Sequence, residues 1–504
     1  MDRLIVYKIK QLFVLKNLVF ILSILFGIDL LINGLIKGGR WDLNEQIALG
    51  IRLINGDFYY SSGIADYFAP SSPYFPGVGI LSALFQKIGI NNILILNQLM
   101  ITISVFIGIL YFYSLFRITK ILFPSIPKNF IIVFISFLLI THFEMYKFYL
   151  NEFKPDTVLL LISSFTFFLL VDKKINKLVN IISVMILLFI ASFFKQNAFL
   201  IFIFPILLIL SSKELNLYKK IIYSTLCILT GVCALLLIFN IENCYLFTVD
   251  IMSKHPYSGI GGIIFYLLET FIFNPIFCSI LFIFFINRIF KGFSLYQMSN
   301  SDIYFIFSLC WFIFQLFSMT KVGGNRGNSE VALIPFMPFI INQIFNHFKS
   351  LSLKKFDKFA IKYFAIPFLI YFILLFPFNI RELLIDKRNQ LDAIEFLNQN
   401  YQNKKVFVDG NTIINASTAK LNVISEVGTI GHFSNANSDK INSLNKVFMD
   451  KYYDIIYLSN LEGLSKKLSN NTMNSIYNNY QLLNTIDLPI SLDGKLYLSN
   501  KESE

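Results

Sequence analysis

Apolar runs long enough to cross a membrane recur through the first 380 residues of the chain. A transmembrane helix needs about 20 mostly apolar residues, because the hydrocarbon core is about 30 Å thick. The chain is 55% apolar and only 15% charged, whereas soluble domains carry about 25% charged residues. We therefore predict an α-helical polytopic membrane protein. The eleven predicted transmembrane helices are 17–36, 92–116, 129–143, 157–171, 178–194, 196–212, 221–241, 264–287, 303–320, 331–347 and 363–380.

The segment 76–90 decides the orientation of every later span. If it does not cross, the Lys and Arg clusters between the spans fall on the same side as the basic N-terminus, as the positive-inside rule requires. We therefore predict an interfacial helix at 76–90, with Pro76 in its first turn. The N-terminus is then cytoplasmic. The net charge of +12 is explained by these loops, so no nucleic-acid partner is predicted.

The composition changes after residue 380. Apolar runs become shorter, and Asn, Ser, Lys and Asp become more frequent. "NQLDAIEFLNQNY" has helical spacing, and "KKVFVDG", "YDIIYLS" and "GKLYLSN" are typical of short strands. We predict two domains, a membrane domain at 1–380 and a small extracytoplasmic α/β domain at 381–504.

The predicted outer loops are short, yet each holds ionisable residues beside the membrane. Any one of these residues, taken alone, is more typical of a solvated loop charge than of a functional residue. Together they place carboxylates in the first two loops and cations in the later ones. Negative and positive side chains in one site are what group transfer from a phosphate requires. A base must take the proton of the acceptor hydroxyl, and fixed positive charge must stabilise the leaving phosphate. Paired carboxylates could instead hold a divalent metal, Mg²⁺ or Mn²⁺.

Motifs of other chemistries are absent from the sequence. It contains no P-loop, no GxGxxG opening a helix, no HExxH and no GxSxG. It also lacks a DxD motif, and its four histidines are scattered. These absences argue against nucleotide-dependent, zinc-peptidase and serine-hydrolase activities.

The order of these parts resembles the GT-C superfamily of integral-membrane glycosyltransferases, related to protein mannosyltransferases and lipid A aminoarabinose transferases. "WDLNEQIALGIRLINGDFYY" is similar to the acidic motif and first interfacial helix, and "SSPYFPGVGILSALFQKIGI" to the start of the second. "NEFKPDTVLLL", "FFKQNAFLIF" and "KVGGNRGNSEVALIPFMPFI" resemble later segments. The likeness runs in order over residues 1–345. The first loop departs from some members, since it lacks an adjacent Asp-Glu pair and a Lys-Pro-Pro or His-Pro-Pro motif.

The resemblance implies a glycosyltransferase that uses a polyprenyl-phosphate-linked sugar on the outer face of the cytoplasmic membrane. The acceptor would be a cell-envelope glycan, lipid or protein. Asp42 would be the catalytic base or orient the acceptor, with Glu45 three residues on and on roughly the same helical face. The remaining candidates are Asp156 and Glu152 for a metal or substrate orientation, Lys195, Lys321 and Arg326 for the donor phosphate, and Lys254, His255 and Asn325 for other substrate contacts.

Two other functions remain open from the sequence. A transporter or flippase of lipid-linked sugars would show paired half-repeats and broken helices near the middle of the membrane, and no internal repeat is visible. A polymerase or ligase of lipid-linked glycans would share the donor and the compartment with a glycosyltransferase.

Overall fold

The structure is a computed structural model. It describes residues 27–28, 32, 41–54, 76–141, 153–171, 177–195, 198–237, 253–254, 258–290, 298–320, 326–348, 366–409, 412–426, 444–459, 470–483 and 495–500. The membrane part is helical throughout these ranges. Its helices are α1 (Trp41–Ile54), α2 (Gly77–Lys87), α3 (Ile93–Leu122), α4 (Lys128–Thr141), α5 (Pro155–Val171), α6 (Lys177–Ser192), α7 (Ala198–Ser211), α8 (Leu217–Leu237), α9 (Gly259–Phe273), α10 (Pro275–Phe290), α11 (Asn300–Met319), α12 (Arg326–Leu333), α13 (Met337–Phe348) and α14 (Ile366–Tyr401).

Three of the described helices are long and apolar enough to cross a membrane: α3, most of α8, and α11. Three more apolar helices are shorter, namely α5, most of α6, and α7. The predicted polytopic helical architecture is confirmed. The count of eleven stays a prediction, because most of the first predicted span, 17–36, lies outside the described residues.

The predicted interfacial segment 76–90 forms a single short helix. With 11 residues, α2 is about half the length that a spanning helix needs. It is followed by Gly89 at φ 103°, a left-handed conformation that glycine adopts without a Cβ clash. Asn92 then starts α3, since its side chain accepts from the N–H groups of Leu94 and Ile95.

The predicted span 264–287 is broken rather than continuous. Helices α9 and α10 meet at Asn274 and Pro275 and are bent by 114°. Proline lacks the N–H that a continuing helix needs, and it disfavours helical geometry in the residue before it. The Asn-Pro step in "FNPIF" is the local sequence signal for this break, and hydropathy does not detect it because the residues on both sides are apolar.

The predicted small α/β domain contains a five-stranded sheet. Its strands are β1 (Lys405–Val408), β2 (Asn422–Glu426), β3 (Ile455–Leu458), β4 (Tyr480–Leu482) and β5 (Lys495–Ser499), and their order is β2-β1-β3-β5-β4. The first three strands are parallel, and β5 pairs antiparallel with both β3 and β4. Strands β1, β3 and β5 match the three predicted segments, whereas β2 and β4 were not predicted.

Alternate residues of the strands pack into two different clusters, as the two-residue period of a strand requires. Val406 and Tyr457 point into the large cluster that continues into the membrane helices. Phe407 and Ile456 point into a second cluster, formed with the helices α16 (Leu444–Met449) and α17 (Asn470–Asn479).

The C-terminal domain packs directly on the membrane domain. Its helix α15 (Ile413–Thr418) contacts both α1 and α3. Ile413 and Ala416 belong to the same buried cluster as Leu43 and Ile47 of α1. Helix α14 runs without a break through the predicted boundary at 380/381, so one helix connects the two parts.

Candidate functional site

The best-defined polar cluster lies at the start of α5, where Asp156 is only 4% exposed. Pro155 occupies the first helical position, a place where its missing N–H is not needed. Asp156 follows in the first turn, where a carboxylate is favoured by the helix dipole. Its Oδ2 accepts from Lys195 Nζ at 2.6 Å, and its Oδ1 accepts from Gln315 Nε2 at 2.8 Å.

Lys195 reaches this carboxylate from the turn between α6 and α7. Phe193 and Phe194 close the end of α6 through backbone hydrogen bonds to Ile190 and Ala191, and Ala198 N donates to Lys195 O at 3.0 Å. The short turn predicted near residue 195 is therefore present. It holds a cation whose side chain is 19% exposed beside a carboxylate that is 6% exposed.

The first outer loop is attached to this same turn. Gly77 N, at the start of α2, donates to Phe193 O at 2.7 Å, and a Cβ on Gly77 would lie 2.7 Å from that oxygen. Helix α2 packs in turn against α1, where a Cβ on Gly50 would lie 2.7 Å from Gly79 O. The two glycines allow these close approaches, and α1 is thereby linked to the turn that carries Lys195.

Helix α1 is oriented by a buried pair of amides. Asn97 Nδ2 of α3 donates to Asn44 Oδ1 at 2.8 Å, and both side chains are at least 96% buried. Leu43 and Ile47 lie on the buried face with Asn44. The backbone of Asp42 and Glu45 belongs to this helix, while their side chains lie outside the described part of the structure.

Helices α9 and α11 meet at the same end of the bundle. Ser258, just before α9, donates to Thr320 O through both its N–H at 3.1 Å and its Oγ at 3.0 Å. Gln315 lies about one helical turn before Thr320. Segments from five of the predicted outer loops therefore end close to one another in space, although they are far apart in sequence.

Lys154 is a second cation beside this cluster. It is partly buried, and burial is the main reason that its pKa is lowered to about 7. The positive charge of Lys195 lowers the pKa further, while the negative charge of Asp156 raises it. Phe153, directly before it, is buried with φ 50°, an unusual conformation for an aromatic residue that is typical of strained functional segments.

The structure brings together two of the residues predicted from the sequence, Asp156 and Lys195, as an ion pair. Lys254 is exposed. The side chain of Arg326 lies outside the described part, although its backbone begins α12. Glu152, His255, Lys321 and Asn325 also lie outside the described residues. The functional roles proposed for all of these residues stay predictions.

Gln315 is not among the site residues predicted from the sequence, and no role is predicted there for Lys154, Asn44 or Asn97. Gln315 had a signal, because it is a lone amide in the apolar run "SLCWFIFQLFSM", and polar groups inside membrane segments are commonly functional. Lys154 was noted only as one charge of its loop. The pairing of Asn44 with Asn97 spans 53 residues and had no local signal.

The described part of the cluster is a hydrogen-bonded ion pair. Both oxygens of Asp156 are engaged by Lys195 and Gln315. Among the described residues, no group of three or more His, Cys, Asp or Glu side chains could hold a metal ion. The divalent metal considered above would need ligands from the undescribed segments.

The whole chain was compared with known proteins. No protein-family model matches it, and no curated protein sequence does. Its structure is similar to that of ArnT from Cupriavidus metallidurans bound to undecaprenyl phosphate, with a TM-score of 0.55 over 95% of this chain and 97% of that chain, at 9% identity. This chain has the ArnT fold.

The apo structure of the same ArnT is also similar, with a TM-score of 0.54 at 10% identity, covering 91% of this chain and 93% of that chain. The fold expected from the sequence resemblance is therefore confirmed by these two structures. It includes the multi-pass membrane architecture and the small C-terminal domain, since the match covers nearly all of both chains.

Proposed function

We propose that this protein is a membrane glycosyltransferase that moves a sugar from a polyprenyl-phosphate donor to a cell-envelope acceptor. The observation that carries the proposal is the buried cluster of Asp156, Lys195 and Gln315, set where the predicted outer loops meet in a chain with the ArnT fold. The structure of ArnT with undecaprenyl phosphate supports a polyprenyl phosphate as the donor's lipid. The cytoplasmic membrane and its outer face are part of the same proposal.

The reaction needs positive charge at the donor phosphate. The acceptor oxygen bonds to the anomeric carbon, the bond between that carbon and the phosphate oxygen breaks, and the polyprenyl phosphate leaves with the electron pair. Lys195 supplies fixed positive charge for this developing anion. Asp156 holds the ammonium of Lys195 in place through the 2.6 Å contact.

Lys154 is a second cation for the same phosphate. Its pKa of about 7 means that the free protein carries it partly neutral near neutral pH. An approaching phosphate favours the protonated form and raises the pKa. The cluster thus gains positive charge when the anion arrives, without holding two fully charged lysines together beforehand.

Asp42 is the proposed base that takes the proton of the acceptor hydroxyl. Helix α1 is linked through α2 to the turn of Lys195, by the close contacts at Gly50 and Gly77. The base and the phosphate-binding cations would therefore belong to one connected framework. Glu45, three residues later on α1, would assist Asp42 in orienting the acceptor.

The test is transfer of radiolabelled sugar from a panel of undecaprenyl-phosphate sugars by the purified protein, with membrane extract as the acceptor source. Asp42→Asn should abolish transfer, and Lys195→Met should lower it about 10²- to 10³-fold. The matched control is Lys213→Met, because Lys213 is an exposed lysine between α7 and α8, away from the cluster. A parallel reaction with a chelator tests whether transfer depends on a divalent metal. Full activity of Asp42→Asn would refute its role.

A transporter of lipid-linked sugars is the second candidate, because the break between α9 and α10 is a feature common in transporters. The same purified protein in sealed vesicles separates the two. Movement of labelled lipid across the vesicle membrane, without sugar transfer, would replace the glycosyltransferase proposal with the transporter.

A further inference from the structure

Gln315 holds a buried hydrogen-bond acceptor that the structure leaves unused. Its side chain is 0% exposed, and its Nε2 donates to Asp156. No group among the described residues donates to its Oε1. Leaving such an acceptor without a partner in a buried site is unfavourable, because the oxygen has lost its water and gained no donor.

The orientation of this amide follows from its partners. An ionised carboxylate can only accept hydrogen bonds, and Asp156 is kept ionised by its 2.6 Å contact with Lys195. The NH₂ end of Gln315 must therefore face Asp156. Its oxygen necessarily points away from the carboxylate, as a fixed acceptor beside the proposed phosphate site.

We propose that Gln315 Oε1 accepts a hydrogen bond from a hydroxyl or amino group of the sugar on the polyprenyl-phosphate donor. This inference rests on the proposed function and adds a sugar-recognising residue to it. The sugar is attached directly to the phosphate that Lys195 would bind, and one carboxylate separates Lys195 from Gln315. A sugar that lacks the matching group would leave Oε1 unpaired, so the residue discriminates between sugars.

The test compares binding of undecaprenyl phosphate with binding of undecaprenyl phosphate linked to glucose, arabinose or 4-amino-4-deoxyarabinose. Each sugar is also offered as its single-deoxy analogues, and no acceptor is added. In the wild type, removing one particular group of the best-binding sugar should weaken binding about tenfold. In Gln315→Leu this position-specific loss should disappear, while the affinity for undecaprenyl phosphate alone stays the same.

Two further variants keep the test decisive. Gln315→Glu in its protonated form can donate to Asp156 through its O–H and still present an oxygen acceptor, so it should retain the discrimination even if Gln315→Leu fails to fold. Asn180→Leu is the matched control, because Asn180 is also a buried amide with one donor bond, to Leu169 O at 2.6 Å, and an unpaired Oδ1 within the described structure. It lies in the first turn of α6, at the opposite end of that helix from Lys195.

The outcomes separate the two proposals. If every undecaprenyl lipid fails to bind the wild type, the proposed function and this inference both fall. If undecaprenyl phosphate binds and Gln315→Leu still discriminates between the deoxy analogues, only the role of Gln315 is refuted. An equal loss of affinity for the bare lipid and the sugar lipid in Gln315→Leu would also refute it, since that result indicates a purely structural residue.

Discussion

Removing either charge of the buried ion pair between Asp156 and Lys195 should destabilise the protein more than removing both. The two side chains are 6% and 19% exposed and 2.6 Å apart. Loss of one partner of such a pair typically destabilises by about 3–5 kcal/mol, because an uncompensated buried charge remains. Replacing both by uncharged groups of similar size is often close to neutral.

The two single variants should differ in a definite direction. Asp156→Asn leaves Lys195 beside a neutral amide, and no other described carboxylate of the cluster replaces the lost charge, so its effect should lie near the upper end, about 5 kcal/mol. Lys195→Met leaves a carboxylate that still accepts from Gln315. It also removes the charge that lowers the pKa of Lys154, so Lys154 becomes protonated more readily and partly replaces the lost cation. Its effect should lie near the lower end, about 3 kcal/mol.

The assay is reversible unfolding in mixed micelles of the wild type, both single variants and the double variant. We expect the double variant to be more stable than either single variant and yet to transfer sugar no faster than Lys195→Met, because the cation at the phosphate is still missing. Additive losses in the double variant would refute the reasoning, since they would mean that the two charges do not stabilise each other. A larger loss in Lys195→Met than in Asp156→Asn would refute the compensation by Lys154.

Three other predictions concern different parts of the structure. Gly50→Ala should destabilise the protein by about 1–3 kcal/mol through overpacking against Gly79, measured by the same unfolding assay, whereas Gly261→Ala should not, because its added Cβ meets no atom within 4 Å. Binding of an undecaprenyl-phosphate sugar should weaken as the pH rises through about 7, where Lys154 loses its proton; Lys154→Arg stays charged, and an unchanged pH profile in that variant would contradict the role of Lys154. Asp409→Ala removes the acceptor of Thr412 N at 3.0 Å and of Ser459 N at 2.7 Å. Faster hydrogen exchange should follow in β1 and β3, and unaltered protection there would contradict this contribution.

The helical membrane part was predictable because hydropathy is a local property. Each spanning helix must satisfy its own backbone and place apolar side chains in lipid, so its signal lies within its own residues. The short helix at 76–90 followed from the charge asymmetry of the loops, and the strands β1, β3 and β5 followed from compact apolar runs. Strand β2 carries polar residues in "NVISE" and β4 has only three residues, so neither has a clear local pattern.

The sequence by itself determined that this chain is a polytopic helical membrane protein with a small C-terminal α/β domain, and it selected Asp156 and Lys195 among the candidate site residues. Only the tertiary structure decided which candidates meet. Lys195 lies 39 residues after Asp156, and Gln315 lies 159 residues after it, so packing of α5, α7 and α11 forms the cluster. A single sequence does not give the distances between remote segments. The role of Gln315 depends on Asp156, and only the folded structure places the two side chains in contact.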